Sequence, residues 1–123
     1  MVTSATSLGR NGLYDWLIQR ITAVLLGLYT IGMLAFFLIH PDLDYQGWSA
    51  FMGALPMQVV NTLMLLAIAT HGWVGLWTVA TDYLTRRQMG GPATAVRLIV
   101  EVLIALALFV YLLWGLVMIW GGA

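Results

Sequence analysis

The sequence predicts an all-α membrane protein with three transmembrane helices. Hydrophobic residues make up 62% of the 123 residues and charged residues only 8%, whereas an average soluble domain has roughly 25% charged residues. A chain this short and this apolar has too little polar surface to cover itself in water. Each of its three apolar runs is about 20 residues long, which is the length that a helix needs to cross the hydrocarbon. Helices are expected because backbone groups in lipid must bond internally.

We predict a single transmembrane domain over residues 1–123, with helices at about 17–40, 57–81 and 96–120. Pro41 ends the first apolar run, Pro56 opens the second and Asp82 closes it. The third begins close to Arg97 and Glu101, which are one turn apart, so a local ion pair or an interface role is expected for Glu101.

The distribution of arginine predicts the orientation. Arg10 and Arg20 precede the first apolar run, and Arg86, Arg87 and Arg97 lie between the second and third runs. The loop after the first span and the C-terminal tail contain none. By the positive-inside rule the N-terminus is cytoplasmic and the C-terminus is periplasmic. We expect no cleavable signal peptide, which favours a bacterial inner-membrane protein.

Composition excludes several kinds of chemistry. The chain has no cysteine, so it can form no disulfide and cannot ligate an iron–sulfur cluster. No glycine-rich phosphate loop follows a strand, so no nucleotide or flavin site is expected. Five arginines balance five acidic residues, and no basic patch suggests a nucleic-acid partner.

His71 is the strongest candidate for a functional residue. It lies inside the apolar run at 57–80, and an ionisable group within a spanning helix is a functional hypothesis by default. Imidazole is the commonest protein ligand for metals. Gly72 and Gly75 beside it allow another helix or a flat cofactor to approach the backbone closely. The open alternatives are a haem iron and a hydroxyl group on a neighbouring helix.

His40, the only other histidine, is expected to end the first span near the opposite face of the membrane. The two imidazoles would then lie at different depths, so they are not expected to ligate one iron together. If His71 binds haem, the second axial ligand must come from another chain.

Three further residues have both a general and a functional interpretation. Asp82 and Tyr83 close the second span, either as interface residues or as part of a quinone site, where a tyrosine hydroxyl would donate to a quinone carbonyl. Arg20 lies at the mouth of the first span. Its guanidinium extends to the interface or pairs with an anion such as a haem propionate.

Several segments together resemble a known family, the small hydrophobic membrane anchors of bacterial succinate dehydrogenase (complex II). The resemblance covers almost the whole chain, and its most specific part is the histidine segment with the Asp-Tyr pair at its end. The matching segments are Leu-Gly-Arg-Asn-Gly at 8–12, Arg-Ile-Thr-Ala at 20–23, His-Gly-Trp-Val-Gly-Leu-Trp at 71–77 and Thr-Asp-Tyr at 81–83.

The resemblance implies a definite set of roles. The chain would pack with a second three-helix membrane anchor and share a haem b with it, with His71 as one axial ligand. Arg20 would lie near the haem propionates, Tyr83 would hydrogen-bond ubiquinone, and Asp82 would lie beside it. The two anchors would hold an iron–sulfur subunit and a flavoprotein subunit on the cytoplasmic face.

Two alternative functions stay open. One is the anchor of a fumarate reductase, which runs the reaction in reverse with menaquinone. The other is a structural or assembly subunit without a cofactor, whose histidine only bonds a neighbouring helix.

Overall fold

The computed structural model describes residues 12–121, and these form five helices joined by short connections. Three are long: α1 is Gly12–Ile39, α3 is Leu55–Tyr83 and α5 is Ala93–Trp120. Two are short: α2 is Tyr45–Gly53 and α4 is Arg86–Met89. No strand occurs among the described residues. Arg10 and most of the segment at 8–12 lie outside them.

The three long helices confirm the three predicted spans, because each is long and apolar enough to cross a membrane. Their bounds are wider than predicted. The first helix already includes residue 12, since the polar residues Asp15 and Gln19 do not interrupt it. The third begins at residue 93, directly after the turn at Gly90, which has a φ of 77° and ends α4.

The connection between the first two spans contains a helix that the prediction treated as a loop. Asp44 caps α2, and its carboxylate accepts a hydrogen bond of 2.8 Å from the backbone N–H of Gly47. Ala54 has extended backbone angles that separate α2 from α3, and Pro56 lies in the first turn of α3. Proline is favoured there because the first helical N–H groups have no partner within the helix.

Helix α3 is central, since it packs against both α1 and α5. The buried apolar side chains are small ones, Ala67, Val74, Ala80 and Ala93, as expected where helices in a membrane approach closely. Most large apolar side chains are exposed on the outside of the bundle.

Side-chain hydrogen bonds join the helices at the end of the bundle that contains Trp120, which we call the Trp120 end. The indole N–H of Trp120 donates to the Thr62 hydroxyl at 2.8 Å, and the amide of Gln58 donates to the carbonyl of Ile119 at 2.9 Å. The other end, where α3 finishes, is called the Tyr83 end. There Arg97 and Glu101 form the predicted ion pair, with 4.0 Å between Nε and Oε1.

Candidate functional site

The side chain of His71 meets Thr22 where α1 crosses α3. The Thr22 hydroxyl lies 3.0 Å from Nδ1 of His71 and 2.7 Å from the carbonyl oxygen of Ile18, one turn earlier in α1. Thr22 is buried, with 8% of its surface exposed. Among residues 12–121, no hydrogen bond involves Nε2 of His71. The hydroxyl partner considered from the sequence therefore exists, and it occupies only one of the two ring nitrogens.

The two glycines beside His71 face other helices of the same chain. A Cβ atom on Gly75 would lie 3.2 Å from the side-chain amide nitrogen of Gln19 on α1, and one on Gly72 would lie 3.5 Å from a methyl group of Leu108 on α5. Both positions thus lie at contacts between helices of this chain. The amide oxygen of Gln19 is buried without a hydrogen-bond partner among the described residues.

Asp82 and Tyr83 are the last residues of α3, and both are exposed. No hydrogen bond or ion pair of either side chain is found within residues 12–121. Asp82 lies eleven residues after His71, which places it on nearly the same helix face and about 16 Å along the axis. Tyr83 follows about 100° further around the helix. The structure therefore separates the histidine from the Asp-Tyr pair by about three turns.

Arg20 is exposed on α1, and its guanidinium carbon lies 5.4 Å from the centre of the Trp16 ring. This is within range of a cation–π contact. Arg20 precedes Thr22 by two residues, so about 200° of helical rotation separate them. Arg20 is therefore close in depth to the contact between Thr22 and His71, but it projects from a different side of α1.

His40 directly follows α1, as expected for a residue that ends the span. Its Nδ1 lies 2.9 Å from the carbonyl oxygen of Phe36, and its ring centre lies 4.5 Å from that of Phe36. Among the residues that the structure describes, no three His, Cys, Asp or Glu side chains are close enough to hold a metal ion.

The structure reveals a polar pair that the sequence interpretation did not single out. The hydroxyl of Tyr29 on α1 donates a hydrogen bond of 2.5 Å to the amide oxygen of Asn61 on α3. Asn61 is buried, and both residues line a cavity of about 550 Å³ toward the Trp120 end. An amide inside an apolar run was the available signal.

Comparisons with known proteins agree with this architecture. A family model described as succinate dehydrogenase/fumarate reductase transmembrane subunit matches residues 3–89. A succinate dehydrogenase hydrophobic membrane anchor subunit from Coxiella burnetii is 34% identical over 111 residues, covering 90% of each chain. A protein of the same description from Rickettsia conorii is 26% identical over 81 residues, covering 65% of this chain and 64% of that one.

The match to residues 3–89 includes α1, α2, α3 and α4, and the Coxiella burnetii relative spans nine-tenths of the chain. With its three apolar helices, the chain is a multi-pass bacterial membrane protein. It belongs to the succinate dehydrogenase/fumarate reductase transmembrane subunit family, as a hydrophobic membrane anchor of succinate dehydrogenase.

Proposed function

We propose that this membrane anchor contributes residues to two cofactor sites, supplying one axial ligand to a haem b and part of the wall of a ubiquinone site. The observation that carries the proposal is the environment of His71. Its Nδ1 is held by Thr22 while its Nε2 has no partner within residues 12–121. A metal-ligating histidine has this arrangement, with one ring nitrogen bonded to the protein and the other left for the metal.

The donor set fits a haem shared between two membrane anchors. This chain offers one imidazole at mid-membrane depth, so the second anchor would supply the other axial ligand. When bound, haem b takes up and releases one electron at a time. In that site His71 would bind and orient the iron, and the exposed guanidinium of Arg20, at a similar depth, would pair with a propionate.

The end of α3 supports the quinone part of the proposal. The Tyr83 hydroxyl has no partner among the described residues, and the residue is 64% exposed, so it is available to donate a hydrogen bond to a quinone carbonyl. Quinone reduction takes up two protons, and the carboxylate of Asp82, next to Tyr83 at the membrane edge, would assist their delivery from water. This chain would form one wall of the site, and partner subunits would form the rest.

The Tyr83 end is the side on which we place the soluble partners. The five arginines of the chain lie at positions 10–20, up to the first third of α1, or at 86–97, from α4 to the first turns of α5. The positive-inside rule therefore puts that end in the cytoplasm. The iron–sulfur and flavoprotein subunits would dock there and bring electrons to the quinone. The chain itself has no cysteine for clusters and no flavin-binding motif.

Two alternatives have specific observations in their favour. The matched family also includes fumarate reductase subunits, which would use menaquinone and the reverse reaction. The Thr22–His71 bond also fits a subunit without a cofactor, in which the histidine only joins two helices.

A spectrum of the purified complex tests the haem assignment. We expect haem b bands in the reduced-minus-oxidised visible spectrum of the wild-type complex, and their loss or marked change in His71→Ala. His40→Ala is the matched control, because within residues 12–121 the His40 ring makes a hydrogen bond only to the backbone carbonyl of Phe36, and it should leave the bands unchanged. An unaltered spectrum and midpoint potential in His71→Ala would refute axial ligation.

A further inference from the structure

We infer that Thr22 positions His71 as a ligand for the haem iron. The Thr22 hydroxyl fixes His71 as the Nδ1–H tautomer and leaves Nε2 as the ligand atom. The inference rests on the proposed function and adds a residue on a different helix from the ligand. It depends on one hydroxyl group that makes contacts in two directions.

The hydroxyl of Thr22 has a single proton to donate. Its oxygen lies 2.7 Å from the Ile18 carbonyl and 3.2 Å from the Gln19 carbonyl, both of which can only accept. A threonine hydroxyl in a helix commonly donates to the carbonyl one turn earlier. The oxygen then has only lone pairs to offer toward Nδ1 of His71, 3.0 Å away. Nδ1 must therefore be the protonated nitrogen, since a hydroxyl whose proton is committed elsewhere can only accept.

Burial makes this arrangement selective. Thr22 is 8% exposed, and it lies inside a spanning helix where water does not replace a lost partner. The opposite tautomer would place two lone pairs against each other at Nδ1, and an unpaired polar group in a low-dielectric site is unfavourable. The neutral ring therefore presents an unprotonated Nε2, which is the form that binds iron.

The same contact should also tune the iron. A hydrogen-bond acceptor for the N–H on the other ring nitrogen makes an imidazole a more basic ligand. A more basic ligand favours the ferric state of the iron. Removing the Thr22 oxygen should thus raise the haem midpoint potential. It should also weaken haem binding, since loss of such an outer partner typically costs about 10–100-fold in metal affinity.

The test is Thr22→Val in the intact complex, which removes the hydroxyl and nearly keeps the volume. We expect haem transfer to excess apomyoglobin to be about tenfold faster and the midpoint potential to rise. Thr22→Ser retains an oxygen and should restore both values. Thr30→Val is the matched control, because Thr30 on the same helix also donates to the carbonyl one turn earlier, at 2.8 Å, and makes no hydrogen bond to a histidine ring within residues 12–121.

Each outcome decides between the two claims. A wild-type complex without haem b, or a spectrum indifferent to His71→Ala, refutes the proposed function itself. If the haem bands depend on His71 while Thr22→Val keeps the wild-type midpoint potential and haem-transfer rate, that result refutes the positioning role alone. If Thr22→Val does not assemble, Thr22→Cys provides the same test with a weakly accepting thiol. A wild-type potential in Thr22→Cys then overturns the inference.

Discussion

Tyr83 ends α3 with a hydroxyl group that has no partner within residues 12–121. A tyrosine at a membrane interface is ordinarily stable there without a specific contact, because its ring is apolar and its hydroxyl is hydrated. The adjacent Asp82 and the position at the end of the central helix are what distinguish it from a general interface residue.

Tyr83→Phe should lower quinone reduction while sparing the chemistry of the soluble subunits. Loss of one hydrogen bond to a quinone carbonyl is worth about 1 kcal/mol, or a factor of roughly five in rate. The measurement compares quinone reduction with the reduction of a soluble dye by the same complex.

Tyr45→Phe is the control for this substitution. Tyr45 opens α2 and is 78% exposed at the opposite end of the bundle, so both rates should stay at the wild-type value. Equal losses of quinone and dye reduction in Tyr83→Phe would indicate a folding or assembly defect and contradict the quinone role.

The individual residues of the candidate site could be predicted from the sequence, but their partners could not. An imidazole in an apolar run and an Asp-Tyr pair at its end are visible in one dimension. The contact between Thr22 and His71 joins residues 49 positions apart, and helical periodicity gives the face of a residue without naming the helix opposite it. For the same reason the Tyr29–Asn61 pair was not found.

At the level of elements, the contact between α3 and α5 is very close at Gly115. A Cβ atom there would lie 2.7 Å from both methyl groups of Leu65, which is closer than real side chains approach. Glycine at this point therefore allows the two helices to pack at their present distance.

Gly115→Ala should lower the melting temperature of the complex, because Leu65 must leave its present position. Because mainly the methyl groups at the end of the flexible Leu65 side chain are in the way, the cost should lie near the lower end of the range for overpacking, at about 1 kcal/mol. Gly32→Ala on α1 is the matched control, since a Cβ atom there meets nothing within 4 Å, and it should be neutral. If the Gly115→Ala complex has the same melting temperature as the Gly32→Ala complex, the contact does not constrain the packing of α3 against α5.

Hydropathy predicted the three long helices and missed α2. A lipid-crossing segment needs an uninterrupted apolar run, and such runs are visible without any knowledge of contacts. The nine residues of α2 are too few for that signal. The available signal was local: Asp44 is of a residue type that is preferred at helix N-caps, and its carboxylate caps the N–H of Gly47. The early start of α1 was missed because charged residues at a helix end lie outside the hydrocarbon without ending the helix.

For the whole molecule, the orientation in the membrane stays a prediction. It depends on the arginine distribution alone, and Arg10 lies outside the described residues. The placement of Asp82 and Tyr83 at the cytoplasmic face, and hence the docking side for soluble subunits, depends on the same argument.

Reporter fusions test this orientation directly. Alkaline phosphatase is active only in the periplasm, so a fusion after Ala123 should be active and a fusion at Gly90, between the second and third spans, should be inactive. The opposite pair of activities would place Tyr83 on the periplasmic side and remove the proposed route for proton uptake from the cytoplasm.

The lengths of the spans have a consequence for the depth of His71. The 29 residues of α3 extend about 43 Å, against about 30 Å of hydrocarbon, so both ends of a centred helix project into the headgroup layers. Its middle residue is number 69, which leaves His71 about 3 Å from the bilayer midplane. About 12 Å of acyl chains then insulate the imidazole on its nearer side. Water-soluble oxidants are thereby kept at a distance from the imidazole ring.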